Sequence, residues 1–315
     1  MDFWEAQKRA RRQTRLYLLL FAILTLLGAA LIEYGLRYFD PQDYSFPYPL
    51  AGAFFVGITF LVAGFQYLLL KSGGGAYVAE TVGGVLVPPD TRDFKLQQLL
   101  NIVKEVSIAS AQPVPPVYIL KSQEINAFAA GINPEDAVMA VTIGSLEKLS
   151  REELQGVIAH EFSHIANQDM KISLRLAAMV MGFYFLLFFG LRILFFTGGI
   201  SQGDKRRGMP IQLIALLLLA AGIFTWFFGK ILQSMVSRQR EYLADASAVQ
   251  YTRNPDGIAG ALRKIMKDET HDMPSSGMAF SHLYFNHGSF FSNLFATHPP
   301  LEKRIEAIEG KTFSE

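Results

Sequence analysis

Cysteine is absent from all 315 residues. That absence excludes disulfide frameworks, thiolate zinc sites, iron–sulfur clusters and cysteine nucleophiles, so any metal must be held by His, Asp or Glu. Charge is scarce as well: 18% of residues are Asp, Glu, Lys or Arg, and 29 Lys and Arg nearly cancel 28 Asp and Glu to leave a formal +1. Such a balance provides no global field to draw a polyanion, which argues against a nucleic-acid partner. Apolar residues, in contrast, make up half the chain, and the mean hydropathy is +0.23. A purely soluble domain of this size needs less.

The apolar residues concentrate in four blocks with few or no charges, residues 16–32, 50–70, 176–196 and 211–232. At a rise of 1.5 Å per residue the shortest is roughly 25 Å long, enough to cross the hydrocarbon layer as a helix. The blocks therefore predict a multi-pass membrane protein with four transmembrane helices and the lipid bilayer as a partner. Arg192 and Lys230, in or near the last two blocks, can snorkel or face a bundle interior. The first block follows Lys8, Arg9, Arg11, Arg12 and Arg15 but is longer than a usual signal-peptide core, so it reads as an uncleaved anchor with a cytoplasmic leader at 1–15.

These blocks divide the chain into a first hairpin at 16–70, a polar piece at 71–175, a second hairpin at 176–232 and a final polar piece at 233–315. The two polar pieces are expected to form one domain with a shared core. Gly198, Gly199, Gly203, Gly208 and Pro210 break the second hairpin. In the first polar piece, Gly73, Gly74 and Gly75 and then Gly83 and Gly84 suggest flexible backbone or tight turns, and residues 94–109 have amphipathic helical spacing. Residues 117–120 and 137–142 read as short strands separated by the turn-like Gly131, Ile132, Asn133 and Pro134. A further helix has an explicit start signal, Ser150 as N-cap with Glu153 completing a capping box. The fold expected is thus α+β and mainly helical, with a small β-sheet.

The capped helix carries His160, Glu161 and His164 in the pattern H-E-x-x-H. Four residues apart on a helix, the two imidazoles project from one face toward a common point and offer the borderline nitrogen donors that suit zinc, while Glu161 stands close enough to work on a water at the metal. A catalytic zinc needs a third protein ligand and an open position. The candidate is Glu241, which shares a helix face with Asp245 four residues on; Asp245 can then accept the other ring N–H of a zinc-bound histidine. The same two carboxylates also read as surface groups paired with Arg238 and Arg240. Glu241 and the histidines can meet only if the second hairpin crosses the membrane an even number of times. With the leader inside, that puts the site on the cytoplasmic side. Lys205, Arg206 and Arg207 would then lie in an outside loop against the charge bias, so this hairpin is either spanning or re-entrant.

Several runs together resemble the HtpX-like membrane zinc metallopeptidases, gluzincins related to the CAAX prenyl protease type of zinc peptidase. They are Asn126-Ala127-Phe128-Ala129, residues 138–142, His160 to His164 with Asn167 and Asp169 after it, Arg238 to Asp245, Arg253-Asn254-Pro255-Asp256-Gly257 and Thr297-His298-Pro299-Pro300. The resemblance implies a zincin-type catalytic domain with one Zn²⁺ per chain, held by His160, His164 and Glu241 beside Asp245, with Glu161 as general base. It also implies that His298, otherwise a surface-loop histidine, stabilises the tetrahedral intermediate. The strand Ala137, Val138, Met139, Ala140, Val141 and Thr142 would then be the edge strand that binds substrate, with Asn126 nearby; by itself it reads as a core strand. The function implied is endopeptidase action on membrane-associated or misfolded polypeptides, a quality-control role in the bacterial inner membrane. A scaffold that keeps the fold without turnover, and a transporter using Arg192 and Lys230, are the rival readings. His282 and His287 are read as loop residues.

Overall fold

A computed structural model describes residues 3–39, 41–42, 44–196, 211–268 and 298–310. His282 and His287, Lys205 to Arg207 and the breakers of the second hairpin lie outside the described residues. The order along the described chain is α1 (Phe3–Phe39), α2 (Leu50–Thr81), β1 (Val85–Leu86), α3 (Phe94–Ser110), β2 (Val117–Leu120), β3 (Ala127–Ala130), β4 (Val138–Thr142), α4 (Ile143–Lys148), α5 (Arg151–Ala166), α6 (Asp169–Phe196), α7 (Ile211–Thr252), α8 (Pro255–Lys267) and α9 (Leu301–Glu309). The protein is α+β and mainly helical.

Among the described residues, four helices are long and apolar enough to cross a membrane, over Arg15–Phe39, Leu50–Leu68, Asp169–Phe196 and Ile211–Thr252. With 42 residues, α7 is about 63 Å long, twice the ~30 Å hydrocarbon layer, so its apolar first half suffices to span and the polar second half is free for other work. The chain divides into two compact units, one made of Met1–Ala10, Leu70–Leu174 and Ser234–Glu315, the other of Arg11–Leu69 and Arg175–Gln233.

In the second unit, the helices share an apolar core of Ile32, Leu36, Phe55, Leu186, Leu217 and Ala221. The helices approach closely: a Cβ at Gly222 would lie 2.6 Å from the backbone nitrogen of Leu187, so only glycine fits there. Glu33, at the end of an apolar helix, is buried yet fully engaged. Its carboxylate accepts from Tyr44 Oη at 2.7 Å, from Arg37 Nε at 2.8 Å and from the Gly52 N–H at 3.2 Å, while Tyr44 Oη accepts the Ala51 N–H at 2.8 Å. Helix α2 has no capping side chain of its own at this end; α1 and the loop satisfy two N–H groups of its first turn.

The first unit is built on a four-stranded sheet of order β1-β2-β4-β3. β2 and β4 are parallel, whereas β1 and β3 pair antiparallel with their neighbours. Period-two alternation fixes two apolar faces. Tyr118, Leu120, Phe128, Ala130, Val138 and Ala140 pack on Val78, Ala79 and Val82 of α2, and Val117, Ala127, Ala129, Met139 and Val141 join the main core with α3, α5 and α8. Both faces are covered, which is why the central strand reads as a continuous apolar run.

One expectation is met and one corrected here. The glycines at 73–75 mark a kink, where Gly74 leaves helical geometry at φ 62°, and α2 resumes because Val78, Ala79 and Val82 have a sheet face to cover. The strand at 137–142 is not an edge. β4 lies between β2 and β3, with the Met139 N–H bonded to the Pro116 carbonyl on one side and the Thr142 N–H to the Asn126 carbonyl on the other. The free edge beside the H-E-x-x-H helix belongs to β3. Because Asn126 and Thr142 form a hydrogen-bonded pair, Ala127 and Ala129, opposite Val141 and Met139, turn their main-chain groups away from β4.

Candidate active site

Helix α5 begins as its sequence dictates. The Ser150 side chain accepts the Glu153 N–H at 3.2 Å and Glu153 Oε2 accepts the Ser150 N–H at 2.7 Å, closing the capping box. Lys264 of α8 also reaches Glu153, at 2.6 Å. Helix α8 starts at Pro255 with the Asn254 side chain accepting the Asp256 N–H, and it crosses α5 so closely that a Cβ on Gly156 would lie 2.6 Å from the Ile258 nitrogen. This packing presents the other end of α5, with His160, Glu161 and His164, to α7 and β3.

The three donors expected to hold a metal converge. His160 Nε2 and His164 Nε2 are 3.2 Å apart, and Glu241 places Oε2 at 3.5 Å from the first and Oε1 at 3.5 Å from the second. A tetrahedral zinc with bonds of about 2.0–2.1 Å has donor–donor edges of about 3.3 Å, so the spacing fits zinc. Glu241 is buried, with Oε2 2.7 Å from His298 Nδ1 and 3.0 Å from Arg304 Nη1, the setting of an engaged interior carboxylate rather than of a surface one. Glu161 is also within reach, its carboxylate and the two histidine donors lying within 4.8 Å of one another. Its Oε2, however, accepts the Ala129 N–H of β3 at 2.9 Å, which ties Glu161 to the free edge of the sheet.

Asp245 lies behind His160, with Oδ1 2.9 Å from His160 Nδ1. The surface ion-pair alternative does not hold for either acid: Glu241 and Asp245 are buried, and buried Arg240 pairs with Asp169 rather than with them. His298, just before α9, joins the site with Nδ1 at 2.7 Å from Glu241 Oε2. Asn126 is buried at the entry to β3. Its side-chain oxygen accepts the Ala127 N–H at 2.9 Å, and Nδ2 lacks a hydrogen-bond partner among the described residues.

Two groups of the site lay outside the sequence reading. Asp169, at the start of α6, has Oδ2 2.9 Å from His164 Nδ1; it was noted as part of a motif but without a task. Arg304 of α9 is wholly buried, bonds both oxygens of Asp245 and lies 3.0 Å from Glu241 Oε2. The signal for it was available: Leu301, Arg304, Ile305 and Ile308 share the apolar face of α9, and a cation on such a stripe calls for a buried acid.

Burial sets the electrostatics and the acids overrule it. On its own, burial would lower both histidines; Asp245 and Glu241 beside His160, and Glu241 and Glu161 beside His164, raise them above their ordinary 6.5. Burial raises Glu161 above its ordinary 4.5, with His164 and His160 pulling the other way. Arg304 stays firmly charged, since Asp245 and Glu241 outweigh the penalty of burying it.

The chain matches peptidase family M48 over residues 94–312. It is 37% identical to a protease HtpX homolog of Ligilactobacillus salivarius over 266 residues, covering 83% of this chain and 88% of that one. It is 36% identical to a protease HtpX homolog of Caldanaerobacter subterraneus subsp. tengcongensis over 312 residues, covering 98% of each. Among solved structures, the crystal structure of S. mikatae Ste24p superposes with a TM-score of 0.52 at 16% identity, over 96% of this chain and 67% of that one, a likeness of fold. With four apolar helices, a His/Glu/His cluster and the family match spanning both parts of the polar unit, the chain belongs to peptidase family M48, as an integral-membrane zinc metalloprotease.

Proposed function

We propose that the chain binds one zinc ion through His160, His164 and Glu241 and hydrolyses internal peptide bonds of membrane-associated or misfolded polypeptides at the cytoplasmic face of a bacterial inner membrane. The observation that carries this reading is the convergence of the three donor groups at tetrahedral spacing, with Glu161 standing beside them on the free edge of β3. A zinc ion held there supplies Lewis acidity toward a water and the scissile carbonyl. Glu161 takes the water's proton and returns it to the leaving amine; its raised pKa suits a base that must also act as an acid. His298 donates to the developing oxyanion, a contribution of about 3–4 kcal/mol for such a donor.

An extended polypeptide pairs with β3 rather than β4, through the outward carbonyls of Ala127 and Ala129, whose N–H groups are taken by Asn126 and Glu161. The unpaired Asn126 Nδ2 supplies a side-chain donor at the start of that edge. Residues 71–175 and 233–315 act together as the catalytic domain, and the charge-rich leader at 1–15 sets the cytoplasmic orientation. Zinc analysis and casein cleavage on detergent-purified protein test the reading. Glu161→Gln is expected to keep one zinc per chain and lose cleavage, and His160→Ala to lose both. Undiminished turnover in the Gln variant would remove Glu161 from its role, and folded wild type without zinc would overturn the site.

A further inference from the structure

Neither imidazole of the site stands alone. Behind His160, Asp245 is gripped by Arg304 through both oxygens, Nε to Oδ2 at 2.8 Å and Nη2 to Oδ1 at 2.7 Å. Behind His164, Asp169 presents Oδ2 to Nδ1 and pairs through Oδ1 with Arg240. The same three-part relay, histidine to aspartate to arginine, is thus built twice from different elements: Asp245 and Arg240 from α7, Asp169 from α6, Arg304 from α9. All four charged groups are buried.

A carboxylate at Nδ1 requires the proton there and leaves the Nε2 lone pair for a metal. An aspartate alone can still turn about its side-chain bonds, whereas a guanidinium pinned to it removes that freedom. Arg304 does more than its counterpart. Its Nη1 lies 3.0 Å from Glu241 Oε2, while Glu241 Oε1 faces His164 Nε2. Glu241 and Asp245, buried four residues apart on one helix, would otherwise repel.

We propose that Arg304 and Arg240 are positioning residues of the metal centre: each clamps the aspartate that fixes one histidine's tautomer, and Arg304 also detains one oxygen of Glu241 so that this residue ligates through the other. The proposal rests on the zinc reading above.

The test uses the full chain in detergent, comparing wild type with Arg304→Lys, Arg240→Lys and Asp169→Asn. Zinc affinity is measured by competition with a chelator, and the cobalt-substituted protein is followed by its visible absorption. All three variants are expected to bind zinc about 10–100-fold more weakly. Arg304→Lys, which keeps charge but not the fork, should also alter the intensity of the cobalt bands as Glu241 gains a second contact; Arg240→Lys should leave the band pattern in place. Folded Lys variants with wild-type affinity and spectrum would overturn the positioning role while leaving the peptidase reading intact. A wild type that takes up no zinc would overturn the peptidase reading itself. Should Arg304→Lys not fold, weakened zinc binding in Arg240→Lys and Asp169→Asn supports the relay, and unchanged binding in both refutes it.

Discussion

His160 is buried and His164 partly so, yet the neighbouring acids hold them more basic than in water. Their folded values lie above the unfolded ones, so in the metal-free protein these contacts contribute stability that is fully present below the unfolded value and lost as pH rises through the folded values. Glu161, raised by burial, shifts in the same sense. Zinc requires neutral imidazoles, so its contribution grows over the same range. The gap between unfolding midpoints of zinc-loaded and chelator-treated protein should therefore widen as pH goes from about 6 to about 8. Thermal unfolding at several pH values checks this, and a flat gap refutes it. At this scale, the residues legible in the sequence were those at fixed helical spacing, His160, Glu161, His164, Glu241 and Asp245. Asp169 and Arg304 were not assigned, because their tasks depend on which elements pack together, and spacing along one helix says nothing of that.

The elements were legible where local chemistry decides them. Ser150 and Glu153 announce α5, and the observed α3 departs from the expected 94–109 by a single residue. β3 was missed as a strand because Ala127-Phe128-Ala129-Ala130 is alanine-rich, and alanine gains strand geometry only from a neighbour such as β4. With β3 unread, the edge that the family resemblance implies was put on β4, which by itself reads as a core strand. The contact of α5 with α8 makes a contest of two known effects at Gly156. Replacing a mid-helix glycine by alanine ordinarily stabilises by roughly 0.5–1 kcal/mol. Here the new methyl would lie 2.6 Å from the Ile258 nitrogen and 2.9 Å from the Gly257 carbonyl carbon, both backbone atoms that cannot turn aside. Overpacking, at about 1–3 kcal/mol, wins. Gly156→Ala is expected to lower the unfolding midpoint and weaken zinc retention, and a stabilised variant would show that α8 yields.

At the scale of the whole molecule, composition gave the membrane class and the four long apolar helices, but charge alone carries the orientation. The absence of cysteine makes that orientation easy to measure, since any introduced thiol is the sole one. Gln42, between α1 and α2, and Lys104, on α3, are both exposed. With the leader inside, Gln42→Cys should react with an impermeant maleimide only in right-side-out vesicles and Lys104→Cys only in inverted ones. The reverse pattern would turn the enzyme to face outward.

The position of Arg304 near the end of the described chain reaches into how copies of this gene are judged. A chain stopped after Pro300 keeps His160, Glu161, His164, Glu241 and His298, and inspection by motif would score it as a working peptidase. It has nonetheless lost the guanidinium on Asp245 and, with Leu301, Ile305 and Ile308, one wall of the main core. An inventory of catalytic letters therefore overcounts competent enzymes wherever reading frames are shortened by so little.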